Sequence, residues 1–269
     1  MDGVCNTRYP LMLIHGTGIR DGRVNYWGRI PAELERHGAR VYFGGQDAWA
    51  TVERNAETIR QRVLEVLEES GSEKIHLIAH SKGGLDARYA VSMLDMGTKV
   101  ASLTTISTPH HGSRTMDGIY RLPQCLVRMA GGVVNLCYRI WGDKNPDFFA
   151  VCGQFTTSWA EEFNRRCTDM PGVLYRSCGG VMAGSTSDIL MCWQHFIIKR
   201  IEGENDGLVT LESARWTNFR PAWRGVGRRG ISHMDEVDFR RKPLRHRGKS
   251  IDLAQQYIEL VSELKIMGM

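Results

Sequence analysis

No apolar run in this 269-residue chain approaches the roughly 20 residues that a membrane-spanning helix needs, so no transmembrane segment is expected. Cysteine pairs at metal-binding or redox spacing are also missing. The seven cysteines are odd in number and scattered, and none falls in a CxxC pattern. Such a set reads as free thiols in a reducing setting rather than as a disulfide framework. The start, Met1-Asp2-Gly3-Val4-Cys5-Asn6, lacks the basic and apolar regions of a secretory leader. The expected setting is therefore cytoplasmic, unless an export signal has been removed. Charge of one sign is in small excess: a formal net charge of +5 does not imply a nucleic-acid partner. Internal repeats, low-complexity linkers and clear composition breaks are missing as well, so residues 1–269 read as one domain.

What is present centres on Ile75-His76-Leu77-Ile78-Ala79-His80-Ser81-Lys82-Gly83-Gly84. Mostly apolar residues suited to a buried strand lead into a serine, two glycines and a helix-like run from Leu85 to Met96. A strand, a sharp turn and a helix are the setting in which a serine is held exposed above a sheet as a nucleophile. The tight turn asks for small neighbours, which Ala79 and Gly83 supply, and Gly84 allows the helix a close approach. The bare pattern small-x-Ser-x-Gly is common; its position between strand and helix makes it specific. The alternative is a structural strand-to-helix turn.

The rest of the chain alternates. Tyr9 to Ile14 reads as a first strand running into His15-Gly16-Thr17-Gly18, a loop whose backbone N–H groups are available to a ligand. Tyr26 to His37 has helical spacing, Val41 to Phe43 is a second strand, and a long amphipathic helix runs from Val52 to a stop at Gly71. Val100 to Ile106 is a further strand. Strands alternating with helices predict a mainly parallel, doubly wound α/β sheet. The rhythm breaks over residues 113–155, where Leu122, Leu126, Met129 and Val133 share one helical face. This insertion is either a lid over a site or plain core packing. Ser158 to Arg166 reads as a helix, Val173 to Cys178 as a strand and residues 179–204 as irregular. Residues 215–249 are rich in Arg and Lys, which suits a solvated face better than an anionic surface. Ile251 to Ile266 is a final amphipathic helix.

A serine hydroxyl needs a base to take its proton, usually an imidazole whose tautomer a buried carboxylate holds. After such a serine the acid precedes the histidine in the chain. His110 and His111 precede any plausible acid, His195 lies in an apolar run, and His246 is flanked by Arg245 and Arg247. His233 is the best placed base. Asp206, in the turn Asn205-Asp206-Gly207 at the expected end of a strand, is the leading acid, ahead of Asp188 and Asp169. Two backbone donors are needed for the oxyanion: Lys82 N–H follows the nucleophile, and Thr17 N–H lies in the first loop.

Five motifs in order carry a resemblance: Leu13-Ile14-His15-Gly16-Thr17, Ile78-Ala79-His80-Ser81-Lys82-Gly83-Gly84, Thr108-Pro109-His110-His111-Gly112-Ser113, Asn205-Asp206-Gly207-Leu208-Val209 and His233-Met234-Asp235-Glu236-Val237. The stretch from Tyr9 to Val237 resembles the bacterial true lipases, calcium-dependent triacylglycerol lipases of the α/β-hydrolase superfamily. The resemblance implies an α/β-hydrolase fold with a helical lid at about residues 117–145, and an acylglycerol or other ester substrate met at a lipid interface. It implies Ser81 as nucleophile, Asp206 as acid, His233 as base, and Thr17 and Lys82 as oxyanion donors. No organic cofactor is implied, but a structural calcium is, held by Asp235 and by Asp188; otherwise Asp235 is an acid among the nearby arginines. A disulfide frequent in that family is absent, since Leu211-Glu212-Ser213 stands where its cysteine would be. Rival readings are a short-chain esterase or an acyltransferase on the same triad, or a non-catalytic binder of apolar ligands.

Overall fold

The computed structural model describes residues 3–21 and 25–269. Alternation is plain from the start: β1 (Leu11–Ile14), α1 (Ile30–Arg36), β2 (Val41–Phe43), α2 (Val52–Ser70), β3 (Ile75–His80), α3 (Lys82–Met93) and β4 (Val100–Ile106). Then α4 (Arg114–Tyr120), α5 (Gln124–Ile140), α6 (Phe148–Gly153) and α7 (Thr157–Arg166) follow before β5 (Leu174–Cys178). The chain ends with α8 (Cys192–Ile201), α9 (Leu211–Ala214), the hairpin β6 (Leu244–His246) and β7 (Lys249–Ile251), and α10 (Leu253–Ile266).

The first five strands form a wholly parallel sheet in the order β2-β1-β3-β4-β5. Parallel strands joined by helices are covered on both faces, so their residues are apolar on both sides of the pleat. In β1, Leu11 and Leu13 point to a core shared with Trp27, Leu34, Tyr257 and Val261. Met12 and Ile14 point the other way, against Ile59 and Val63 of α2 and Ala87 and Val91 of α3. At roughly 1.5–3 kcal/mol for each large aliphatic side chain fully buried, this packing holds α2 far more firmly than helix propensity would.

The strands and the long helices fall close to where the sequence puts them. The differences have local causes. Tyr9 and Pro10 lie before β1, and Pro10 has no N–H to donate to a ladder. The helix expected from Tyr26 begins at Ile30, after a turn, and Ile251 lies in the β6–β7 hairpin rather than in α10. The stretch read as irregular contains α8, whose Trp193, Ile197 and Ile201 are exposed. Among the described residues no strand leads directly into Asp206, since the element before it is α8, which corrects its expected place at a strand end: a single bridge, Asn205 to Thr210, closes that loop. The apolar face of α5 is not core. Leu126, Met129 and Val133 on it, and Leu122 just before it, are 54–68% exposed.

One close approach fixes how α3 leaves the sheet. A Cβ on Gly84 would fall 2.0 Å from Thr108 Oγ1, the group that donates to Ser81 O at 2.8 Å. Gly84→Ala should therefore destabilise the protein by about 1–3 kcal/mol through overpacking, read as a lower urea midpoint at unchanged slope. A midpoint equal to the parent's would show that this contact yields without cost.

Candidate active site

Ser81 sits between β3 and α3 at φ 55° and ψ −133°, a conformation that costs a non-glycine residue energy and is held only by its surroundings. Those surroundings are specific. Ser81 N–H donates to Ile106 O at 2.9 Å, and Ser81 O accepts from Gly84 N–H and Thr108 Oγ1. The loop after β1 presses on the other side, where a Cβ on Gly16 would lie 2.7 Å from Ser81 Cβ. Lys82, as the first residue of α3, has a backbone N–H with no acceptor inside the helix. Its side chain is buried and ion-paired to Asp86 at 2.6 Å. Burial raises the Asp86 carboxyl to about 6, against the pull of Lys82 and of Asn55.

His233 Nδ1 lies 2.7 Å from Asp206 Oδ2, with Asp206 fully buried. The other oxygen of Asp206 accepts the backbone N–H groups of Leu208 and Val209 at 2.9 and 2.8 Å. His233 N–H in turn donates to Asp206 O at 2.8 Å. A carboxylate so satisfied is an acceptor for an imidazole N–H, which leaves Nε2 of His233 as the ring nitrogen able to take a proton. His233 also comes alongside the elbow: its ring centroid is 4.4 Å from that of His80, the residue before Ser81.

Between the loop after β1 and His233 runs a buried hydrogen-bond chain. Gly16 N–H donates to Tyr26 Oη at 2.9 Å, Tyr26 O–H meets His80 Nδ1 at 2.6 Å, and His80 Nε2 meets Glu236 Oε2 at 3.0 Å. The second carboxylate oxygen of Glu236 accepts from Ser107 Oγ and Gly180 N–H at 2.7 and 2.6 Å. Burial keeps His80 neutral and pushes Glu236 up, as does the charge of Asp206, while the bonds from Ser107 and Gly180 pull Glu236 down. A neutral His80 has one N–H, and the order of donors directs it to Glu236. With Gly16 N–H spent on Tyr26, the next donor along that loop is Thr17.

The same end of the sheet thus holds a strained serine, an imidazole oriented by a buried carboxylate, and the free first N–H of α3 at Lys82. The family comparison covers much of it. A model of the palmitoyl protein thioesterase family matches residues 11–167, more than half of the chain and including the elbow. The chain belongs to the palmitoyl protein thioesterase family. It is also 29% identical over 210 residues to a triacylglycerol lipase of Pseudarthrobacter phenanthrenivorans, covering 73% of this chain and 64% of that one. Against a triacylglycerol lipase of Vibrio cholerae it is 33% identical over 188 residues, covering 66% and 59%. The chain thus spans a little under two thirds of the length of these curated relatives. The mature Bacillus licheniformis lipase BlEst2 superposes with a TM-score of 0.64 at 21% identity, covering 85% of this chain and 86% of that one. The fold is that of the α/β-hydrolases, and the resemblance to bacterial lipases stands. Asp206 and His233 lie beyond the segment that the family model matches.

The histidines set aside in the sequence have other partners. His110 is buried against Thr105 and Arg88, and burial together with Arg88 keeps it neutral. His195 is buried with its Nδ1 2.8 Å from Ser185 Oγ. Asp169 accepts from Trp216 and Thr217 and takes no part in the site. Tyr26, His80 and Glu236 were not singled out as functional. His80 and Glu236 stand inside quoted motifs, beside Ser81 and three residues after His233, but Tyr26 carries no local signal. Although His80, His233 and Glu236 offer ligand atoms within 4.8 Å of one another, each is engaged in these hydrogen bonds.

Asp188 and Asp235, which the resemblance assigns to calcium, do lie together, both bonded to the Ser232 hydroxyl. Their oxygens, however, are already taken. Arg229 forms a two-pronged pair with Asp235, and Arg240 bridges Asp235 and Asp188 at 3.1 and 3.0 Å. Two guanidinium groups among the donors do not fit a hard cation that needs six to eight oxygen ligands.

Tyr26→Phe should leave the Gly16 N–H buried and unpaired and let the loop after β1 shift. The expected loss is about 1–3 kcal/mol of stability, with a roughly 10- to 100-fold slower reaction of Ser81 with a fluorophosphonate. Stability loss with no change in that rate would show that this hydrogen-bond chain does not act on Ser81.

Proposed function

We propose that this protein is a serine hydrolase of carboxylic esters, in the manner of a triacylglycerol lipase, working through an acyl-enzyme. The observation that carries the reading is the 2.7 Å contact from His233 to Asp206, made with the His233 ring 4.4 Å from that of His80, the residue before the strained Ser81. Ser81 Oγ attacks the acyl carbonyl as His233 Nε2 takes its proton, and Asp206 stabilises the imidazolium. The tetrahedral oxyanion is met by the N–H groups of Thr17 and Lys82. His233 then protonates the leaving alkoxide, and a water that it deprotonates releases the acid. No metal enters any step. The family match favours a second substrate class, acyl thioesters, attacked in the same way with a thiolate leaving that depends less on His233.

The insertion over residues 113–155 is read as a lid. On α5, Leu126, Met129, Val133, Leu136 and Ile140 recur at steps of three and four, and all are 56–69% exposed. Its far end is tied down: Asp143 accepts from Ala48 and Trp49 N–H, and Asp47 from Lys144 and Asn145 N–H. Tyr138 O–H donates to Gly18 O, next to Thr17. An apolar face of this kind is best sheltered at a lipid surface.

Ser81→Ala should abolish fluorophosphonate labelling and lower ester turnover by roughly 10⁴-fold or more. Profiles on p-nitrophenyl esters and acyl thioesters of rising chain length rank the two substrate classes. A folded, active Ser81→Ala protein would refute the assignment. Activity should also climb as a triacylglycerol passes its solubility limit, and more weakly in Met129→Ser/Val133→Ser; unbroken hyperbolic kinetics would remove the lid reading.

A further inference from the structure

We infer that the Arg229–Arg240 pair takes the place of a bound cation in fixing the loop that carries His233. The inference rests on the reading of His233 as the base. Asp188, Ser232 and Asp235 are each at most 2% exposed, and Ser232 immediately precedes His233. Its hydroxyl lies 2.6 Å from Asp188 Oδ2 and 2.9 Å from Asp235 Oδ2, and its N–H donates to Asp235 Oδ2 at 3.1 Å. Two buried carboxylates converging on one hydroxyl repel each other and are costly to desolvate unless positive charge joins them. Arg229 supplies it from one side, at 2.5 and 3.1 Å to the two oxygens of Asp235.

Arg240 supplies it from the other. Its Nε is 3.1 Å from Asp235 Oδ1 and its other prong 3.0 Å from Asp188 Oδ2. Two carboxylates and two guanidiniums sum to zero. A divalent ion entering among them would meet two positive charges and no free carboxylate oxygen, since Asp188 Oδ1 accepts Leu190 N–H at 3.1 Å. Burial works to raise Asp188, yet the bonds from Ser232 and Arg240 outweigh it and hold the carboxyl below its usual range. Arg240 also links distant parts of the chain, because Asp188 lies just before α8 while Asp235 follows the base. A planar fork spans both carboxylates, as a lysine's single ammonium would not.

The test reads metal content and melting temperature as well as chemistry, so it stands or falls apart from the substrate assignment. Purified full-length protein should carry well under one calcium per chain. EGTA followed by excess calcium should shift neither its melting temperature nor the rate of Ser81 labelling. Arg240→Met should lower the melting temperature and slow labelling, and Arg240→Lys should recover only part of both. In Arg240→Met/Asp188→Asn the unpaired carboxylate is gone, so the folding equilibrium should be lost less than the two single variants predict, by about tenfold. One tightly held calcium per chain, or a melting temperature that EGTA lowers and calcium restores, would overturn the inference even if the arginine variants fail to fold. Additive losses in the double variant would overturn it too.

Discussion

The carboxylate of Glu236 is the point on which the site depends. It is fully buried beside the negative charge of Asp206, a position that burial and like charge both oppose. What makes it tolerable is that each donor comes from a different part of the fold. His80 ends β3, Ser107 follows β4, Gly180 follows β5, and Tyr257 of α10 donates to its backbone carbonyl at 3.0 Å. Removing one partner would leave a buried acceptor unsatisfied, at a cost of about 1–3 kcal/mol. The loop that bears His233 is thereby fastened to three strand ends at once. This matters because beyond β5 the described chain adds isolated bridges rather than further strands to the parallel sheet.

The basic stretch over residues 215–249 is the second device of the same kind. Most of its basic residues are exposed, as on a solvated face, and Arg224 pairs there with Glu204, but Arg220 reaches Glu263, Arg229 reaches Asp235, and Arg240 reaches both Asp188 and Asp235. Arg176, buried on β5, shares Glu263 with Arg220. Exposed pairs such as Arg224–Glu204 contribute little, because water screens them. The buried ones matter more for where they hold the chain than for net stability, since desolvation offsets most of their attraction. Charge here substitutes for the regular backbone pairing that the C-terminal segment lacks.

Apolar surface is distributed unevenly. Most large aliphatic side chains of the strands are in one of the two cores, yet α5 and α8 turn theirs outward. On α8 and its approach, Ile189 and Trp193 are 86% and 74% exposed, while Met191 packs against Gly207 beside the acid. Two helices, one tied to the loop after β1 and one beside the Asp206 loop, thus leave large apolar side chains facing water. All seven cysteines are free, so no covalent crosslink limits the movement of either helix.

Features set by residues close in sequence were legible from the residues alone. The elbow around Ser81, the strands Val41–Phe43 and Val100–Ile106, and the helix ending before Gly71 follow from short-range spacing and turn chemistry, which act within a few residues. Asp206 and His233 were legible as a pair through chain order and resemblance, although the strand expected before Asp206 is a bridged loop. Burial could not be read from periodicity. The spacing of Leu126, Met129 and Val133 is the same whether a helix faces a core or water, and the packing of the whole molecule determines which. Hydrogen-bond partners were hidden for a related reason. Tyr26 and His80 are 54 residues apart and His80 and Glu236 are 156 apart, so nothing in the local pattern of either marks the other. The same holds for Arg240 and Asp188: charge can be counted along a sequence, but which charges meet away from water is a property of the folded chain.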